Sequence, residues 1–178
     1  MEYRHTGLPW ILPSPNMPTI DTVRVYTGNC LFEGTNLSEG RGTAMPFETI
    51  GAPFVEAQKL ADEMNGKRLP GVRFRPVYFQ PTASKHQGEL CGGVQLHVTN
   101  ARAIRPVETG VTLLFAVQEL FADFAFLPPL KEGSRPFIDL LGGDNLYRGD
   151  SVNVPELLAR FREESAAFAE QKRQYHLY

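Results

Sequence analysis

Three scarcities bound what this 178-residue chain can be. Long apolar runs are missing: Val111 to Val117, the longest, is interrupted by Thr112 and falls far short of the ~20 residues that span a bilayer. Excess charge of either sign is missing too, since 18 lysines and arginines face 20 aspartates and glutamates, for a formal net charge of −2. Without a long basic stripe to displace counterions, a nucleic-acid partner is disfavoured. Cysteine is nearly absent. Cys30 and Cys91 permit one disulfide without demanding it, and two buried free thiols are the blander alternative. The opening MEYRHTGLPW carries no apolar stretch of the kind a secretory signal needs, so the chain reads as soluble and without a leader.

What remains is an ordinary globular composition, 42% hydrophobic and 21% charged, far from that of disordered chains. At roughly 150 residues per domain the length fits a single domain over residues 1–178, and a chain of this size buries about 70% of its unfolded surface without staples. Prolines 9, 13, 15 and 18 make the first eighteen residues an extended, shaped lead-in. Thr19 or Asp21 can cap a short helix with Ile20, Val23 and Tyr26 as its apolar positions. From Asn29 to Thr43 the sequence NCLFEGTNLSEGRGT is too rich in glycine for a regular element and reads as an ordered polar loop.

Phe54 to Asn65 suits a helix, with Gly66 at the position of a left-handed C-cap. Val72 to Phe79 and Val94 to Thr99 alternate with period two and read as strands, the first at a sheet edge because of Pro76. Pro106 to Phe121 gives a largely buried helix. A final helix starts after Asn153, with Leu157, Leu158, Phe161, Ser165 and Phe168 as its inner stripe. The fold class is therefore α/β in the mixed, α+β sense: a small mixed sheet covered by helices, a long C-terminal helix and Gly/Pro-rich ordered loops. No run of alternating βα units points to a doubly wound nucleotide-binding sheet.

Chemistry concentrates in the Asn29 to Thr43 segment, where close-approach glycines coincide with donors and acceptors. Asn36, Ser38, Glu39, Arg41 and Thr43 are the substrate-binding candidates. Arg41, between Gly40 and Gly42, offers an unshielded planar fork that suits a carboxylate, with a salt bridge to Glu33, Glu39 or Glu48 as its structural alternative. Arg24 and Lys85 are the next cations to consider. Those three glutamates invite a glycosidase reading, although sequence spacing cannot give their separation in space. His86, Cys91 and His97 match no common structural-zinc spacing, and no fingerprint for a dinucleotide, a phosphate loop or a nucleophilic triad is present. Neither a metal nor a cofactor is expected.

Several segments together carry a resemblance: PSPNMPTIDT (13–22), EGTNLSEGRGT (33–43), PFETIGAPF (46–54), the F-x-PT of 79–82, CGGVQLHVT (91–99) and the closing YHLY. They are similar to the C-terminal half of the bacterial exo-β-N-acetylmuramidases of the NamZ type, over nearly the whole chain from about Gly7. The resemblance implies part of an enzyme that releases N-acetylmuramic acid from the non-reducing ends of peptidoglycan fragments. It implies a separate N-terminal Rossmann-like half bearing the proposed catalytic glutamate, with the active cleft between the halves. No residue here inherits that glutamate's role, so this chain is expected to lack hydrolytic activity alone. The implied partners are muropeptide or peptidoglycan sugars and the N-terminal half, and the implied location is secreted or periplasmic. Trp10, Ile11 and Leu12 are the candidates for an apolar docking face, through which the chain could self-associate. A non-catalytic peptidoglycan-sugar binder and a purely structural domain are the alternatives.

Overall fold

The computed structural model describes residues 3–149 and 152–176, so Leu177 and Tyr178 of the YHLY motif lie outside the described residues. Helix α1 (Ile20–Asn29) begins with a reciprocal cap: the Thr19 hydroxyl accepts from the Thr22 amide at 3.0 Å, and the Thr22 hydroxyl accepts from the Thr19 amide at 3.3 Å. Threonine here does the work a capping box usually gives to glutamate. Both hydroxyls donate to Glu48 Oε1, at 2.9 and 2.5 Å, which ties the start of α1 to the residue before strand β1 (Thr49–Ala52). The buried face of α1 is Thr22, Val25, Gly28 and Asn29, while Val23 is exposed. The stripe expected through Val23 is thus rotated, because the helix is aimed by its polar anchor as well as by its apolar residues.

Helix α2 (Ala57–Gly66) follows β1 and packs Leu60, Ala61 and Met64 inward. Gly66 is still helical, and the left-handed residue is Arg68 (φ 52°), two positions later than expected. Strand β2 (Val72–Phe79) has the expected bounds, and β3 (Cys91–Val98) starts three residues before the period-two pattern. The antiparallel order is β1-β3-β2, with Ile50 opposite Val94 and Pro76 opposite Val94 on the other side. Pro76 therefore sits in an edge strand, where its missing N–H costs no ladder bond. The four-residue β1 escapes the period-two rule because all four of its residues are buried. Beyond it, Ser38 and Gly51 exchange two backbone hydrogen bonds, so the Gly-rich loop covers that edge of the sheet.

Helix α3 (Pro106–Leu120) is buried through Val111, Leu113, Leu114 and Val117 and crosses α1 at a contact that admits no side chain. A Cβ at Gly110 would lie 2.5 Å from the Gly28 carbonyl carbon, and one at Gly28 would lie 2.0 Å from the Pro106 oxygen. A short helix, α4 (Phe137–Gly142), was not evident from the sequence; its Ile138 seats against Gly34, and its buried Asp139 is gripped by Arg148, with Nε at 2.7 Å from Oδ1. The long helix α5 (Val154–Gln171) is capped by Asn153, buries Leu157 and Leu158, and is held to α3 where Arg162 meets Glu108. Its expected inner stripe ends there: Ser165 and Phe168 are exposed. Its eighteen residues make about 27 Å of helix. No described helix is long and apolar enough to cross a membrane.

The glycine crossing makes a direct prediction. Gly110→Ala should lower stability by about 1–3 kcal/mol, since the added methyl meets backbone that cannot rotate away. Thermal unfolding should show a fall of roughly 2–12 °C, whereas Gly66→Ala, in helical backbone with open space around it, should show no such fall.

Candidate functional site

The Gly-rich loop is polar in composition but interior in position. Its first residues form a 3-10 turn, Cys30–Gly34, rather than irregular backbone, and Leu31, Phe32 and Leu37 are buried in the core. A second loop, residues 80–90, lies across it. Gly42 stands at φ 78° where a Cβ would be 2.4 Å from the Ala83 nitrogen, and its carbonyl accepts from both the amide and the hydroxyl of Thr82. Of the four described non-glycine residues with positive φ, three are here: Phe47 (61°), Ser84 (69°) and His86 (56°). Each such conformation costs about 1–3 kcal/mol and persists only where surrounding contacts impose it.

What imposes it is a four-member charge cluster. Glu39, whose side chain is only 3% exposed, faces Arg41 Nε at 3.0 Å through Oε1 and Lys85 Nζ at 2.7 Å through Oε2. The Lys85 contact is an ion pair by distance, without the alignment of a good hydrogen bond. Lys85 donates instead to the carbonyls of Phe32 at 2.7 Å and Thr35 at 3.0 Å. Burial lowers the pKa of the Lys85 ammonium, and Glu39 opposes that effect. Arg41 Nη2 reaches Glu33 Oε2 at 3.1 Å while its guanidinium stacks on the Phe47 ring at 4.9 Å. Tyr26 meets Phe47 edge-on at 4.8 Å, and burial, then the Glu33 carboxylate, push its phenol above the ordinary value. Two carboxylates and two cations leave the cluster neutral, with Glu33, Arg41 and Lys85 between 21% and 31% exposed.

The structure therefore brings Glu39 and Arg41 together and adds Glu33 and Lys85, which the sequence offered only as a carboxylate and a reserve cation. Asn36, Ser38 and Thr43 stand nearby but turn to the backbone. Asn36 donates to the Asp123 carbonyl at 2.8 Å and accepts from the Ala125 amide at 3.0 Å, while His86 Nε2 lies 2.7 Å from its carbonyl. Ser38 accepts from the Gly40 amide, and Thr43 donates to the Gly40 carbonyl. Glu48 is separate, buried against the two threonine hydroxyls of α1. Of the zinc-type residues, Cys91 is buried in β3, with burial raising its thiol pKa to about 11, while His86 belongs to the second loop. A cavity of about 760 Å³ lies between α1, α3, α4 and α5, with Cys30 and Leu31 at the start of the Gly-rich segment in its wall.

A backbone-braced, charge-balanced cluster of this kind can present fixed donors and acceptors to a polar ligand without rearranging. The comparisons agree on where such a domain occurs. The family model for the C-terminal region of the exo-β-N-acetylmuramidase NamZ matches residues 24–178, and the chain belongs to that family. It is 41% identical to the peptidoglycan β-N-acetylmuramidase NamZ of Bacillus subtilis (strain 168), covering all of this chain and 42% of that protein. Among solved structures, a DUF1343 family protein of Bacteroides fragilis NCTC 9343 superposes with a TM-score of 0.87 at 30% identity, covering all of this chain and 47% of its own. A second one from the same organism gives 0.58 at 25% identity, over 93% of this chain and 43% of the other. The chain thus spans less than half the length of these relatives.

Removing Lys85 tests the cluster. Lys85→Met should cost about 3 kcal/mol in denaturant unfolding, because buried Glu39 keeps only Arg41 and the Thr35 carbonyl loses the Lys85 donor. Pairing it with Glu39→Gln should restore part of that loss. Additive costs in the double variant would show that the two side chains do not depend on each other.

Proposed function

We propose that this chain forms one wall of the substrate cleft of a bacterial cell-wall hydrolase, the reaction being release of N-acetylmuramic acid from non-reducing glycan ends. The observation that carries this reading is the Glu33–Arg41–Glu39–Lys85 cluster on two strained, interlocked loops, in a chain of this family. Asn36, Ser38, Glu39, Arg41 and Thr43 are the substrate-side residues in this proposal. Glu39 and Arg41 contact or position the sugar, and the other three keep the loop in shape. N-acetylmuramic acid bears a lactyl carboxylate. That group can displace the partly exposed Glu33 from Arg41 while buried Glu39 stays, so the guanidinium is held ready without being left unpaired. The proposed catalytic glutamate belongs to the N-terminal half that the family resemblance implies, and a cell-wall substrate puts the working protein in the periplasm or outside the cell.

A second reading, a brace without substrate contact, is favoured by the inward hydrogen bonds of Asn36, Ser38 and Thr43. Two measurements separate the readings. The 178-residue chain alone should release no aglycone from a chromogenic β-N-acetylmuraminide, since general acid catalysis needs a positioned carboxyl that this proposal places elsewhere. In a two-part relative, Arg41→Ala should lower kcat/KM on the muramic substrate about 10-fold to 150-fold, the range of one charge-assisted hydrogen bond, and Arg41→Lys should lower it less. Equal losses on muramic and glucosamine substrates together with a fallen melting temperature would favour the brace.

A further inference from the structure

The chain has one tryptophan, and two neighbours fix its indole. Trp10 Nε1 donates to the Met17 carbonyl at 3.3 Å, and Tyr3 packs edge-on against the ring, with centroids 5.2 Å apart at 85°. The Tyr3 hydroxyl in turn donates to the Pro9 carbonyl at 2.6 Å. The half-buried indole so held lines an open depression of about 510 Å³, within the ~300–1,000 Å³ of ligand sites. The depression also takes in Thr19, Asp21, Arg24 and Thr99. Arg24 Nη1 holds Asp21 Oδ1 at 2.6 Å, and the Asp21 side chain remains 47% exposed.

We propose that this depression is a saccharide subsite, in which a pyranose ring stacks its C–H face on Trp10 and its hydroxyls donate to Asp21. An aromatic body offers apolar area of the right shape for a sugar ring. A carboxylate already fixed by a guanidinium accepts hydroxyl hydrogen bonds at little ordering cost. Arg24 is a positioning residue here. If Trp10 only pinned the proline-rich lead-in, Tyr3, Pro9 and Met17 would suffice, and the Asp21–Arg24 pair across the same depression would have no connection with it. The subsite rests on the proposed function only for the class of glycan it takes. It is also distinct in place, since its residues belong to the lead-in, the start of α1 and the end of β3.

The test is titration of the 178-residue chain with N,N′-diacetylchitobiose while Trp10 emission, the only indole signal, is followed. A saturable change with a dissociation constant on the order of 1 mM is expected. Asp21→Asn should weaken it about 10-fold, and Trp10→Ala should abolish ligand saturation-transfer NMR signals with the melting temperature little changed. A folded chain that shows no saturable change at about ten times that concentration would overturn the subsite. So would Asp21→Asn and Trp10→Ala variants that bind as tightly as the parent. The titration reads Trp10 alone, whereas the loop reading is tested by the substrate preference of Arg41 variants, so failure of one is told apart from failure of the other.

Discussion

The buried carboxylate of Glu39 is the constraint on which the polar half of this molecule depends. A carboxylate with a side chain 3% exposed must be matched by charge, because desolvating it alone costs several kcal/mol. The match comes from two directions: Arg41 is two residues along the same loop, and Lys85 is 46 residues away on the other. Satisfying Glu39 therefore fixes the relative position of the two loops. Lys85 also donates to the Thr35 carbonyl and adds a further donor to the Phe32 carbonyl, which already accepts from the amide and hydroxyl of Thr35. The left-handed residues follow from this docking. Ser84 and His86 occupy costly backbone regions in the loop that meets Gly42 through Thr82 and the Asn36 carbonyl through His86, while left-handed Phe47 donates its amide to the Glu39 carbonyl.

Close approach without side chains does the same for the apolar half. Gly28 and Gly110 let α1 and α3 touch backbone to backbone, and Gly51, Gly92 and Gly93 thin the sheet where β1 meets β3 and the turn before α2 crosses it. A Cβ on Gly92 would sit 2.1 Å from the Val55 oxygen. The small three-stranded sheet is thus held on one edge by loop hydrogen bonds to Gly51 and is packed by helix α2, whose Leu60 and Met64 are fully buried. Rigid support of this kind allows a short loop to present side chains at fixed positions.

How much of this was legible in the sequence varied with the physical range of the signal. Elements set by local chemistry were readable: Pro106 and Asn153 start α3 and α5 near their expected positions, and β2 alternates over Val72 to Phe79 as its pattern implies. Elements defined by long-range burial were not. β1 is buried on every residue and shows no alternation, α4 is six residues long, and Phe168 continues a helical stripe that nothing in the described residues covers. At the site, glycine spacing located the loop, and Arg41 was singled out by the absence of shielding side chains on either side. Its pairing with Glu33 and Glu39 was available only as one of several options, since spacing does not fix which carboxylate a guanidinium meets. Lys85 could be named as a cation, but its approach from a loop 46 residues away from Glu39 leaves no local pattern.

The two polar surfaces share a physical design. In each, a guanidinium is paired with a nearby carboxylate, Arg41 with Glu33 and Glu39 and Arg24 with Asp21; Phe47 stacks against Arg41, and Trp10 lines the same depression as Arg24. Pairing keeps an arginine extended and prevents its fork from folding back on the backbone, at little net cost while it stays partly in water. The Phe47 ring limits the directions in which the Arg41 fork can swing. A ligand then meets donors and acceptors whose entropy is already lost, and discrimination depends on which member of each pair it can replace. Glu33 and Asp21 are the more exposed carboxylates, at 21% and 47%, whereas Glu39 is sealed at 3%. In the loop cluster only the outer carboxylate, Glu33, is open to exchange while Glu39 keeps the loop folded, whereas Asp21 keeps its place on Arg24.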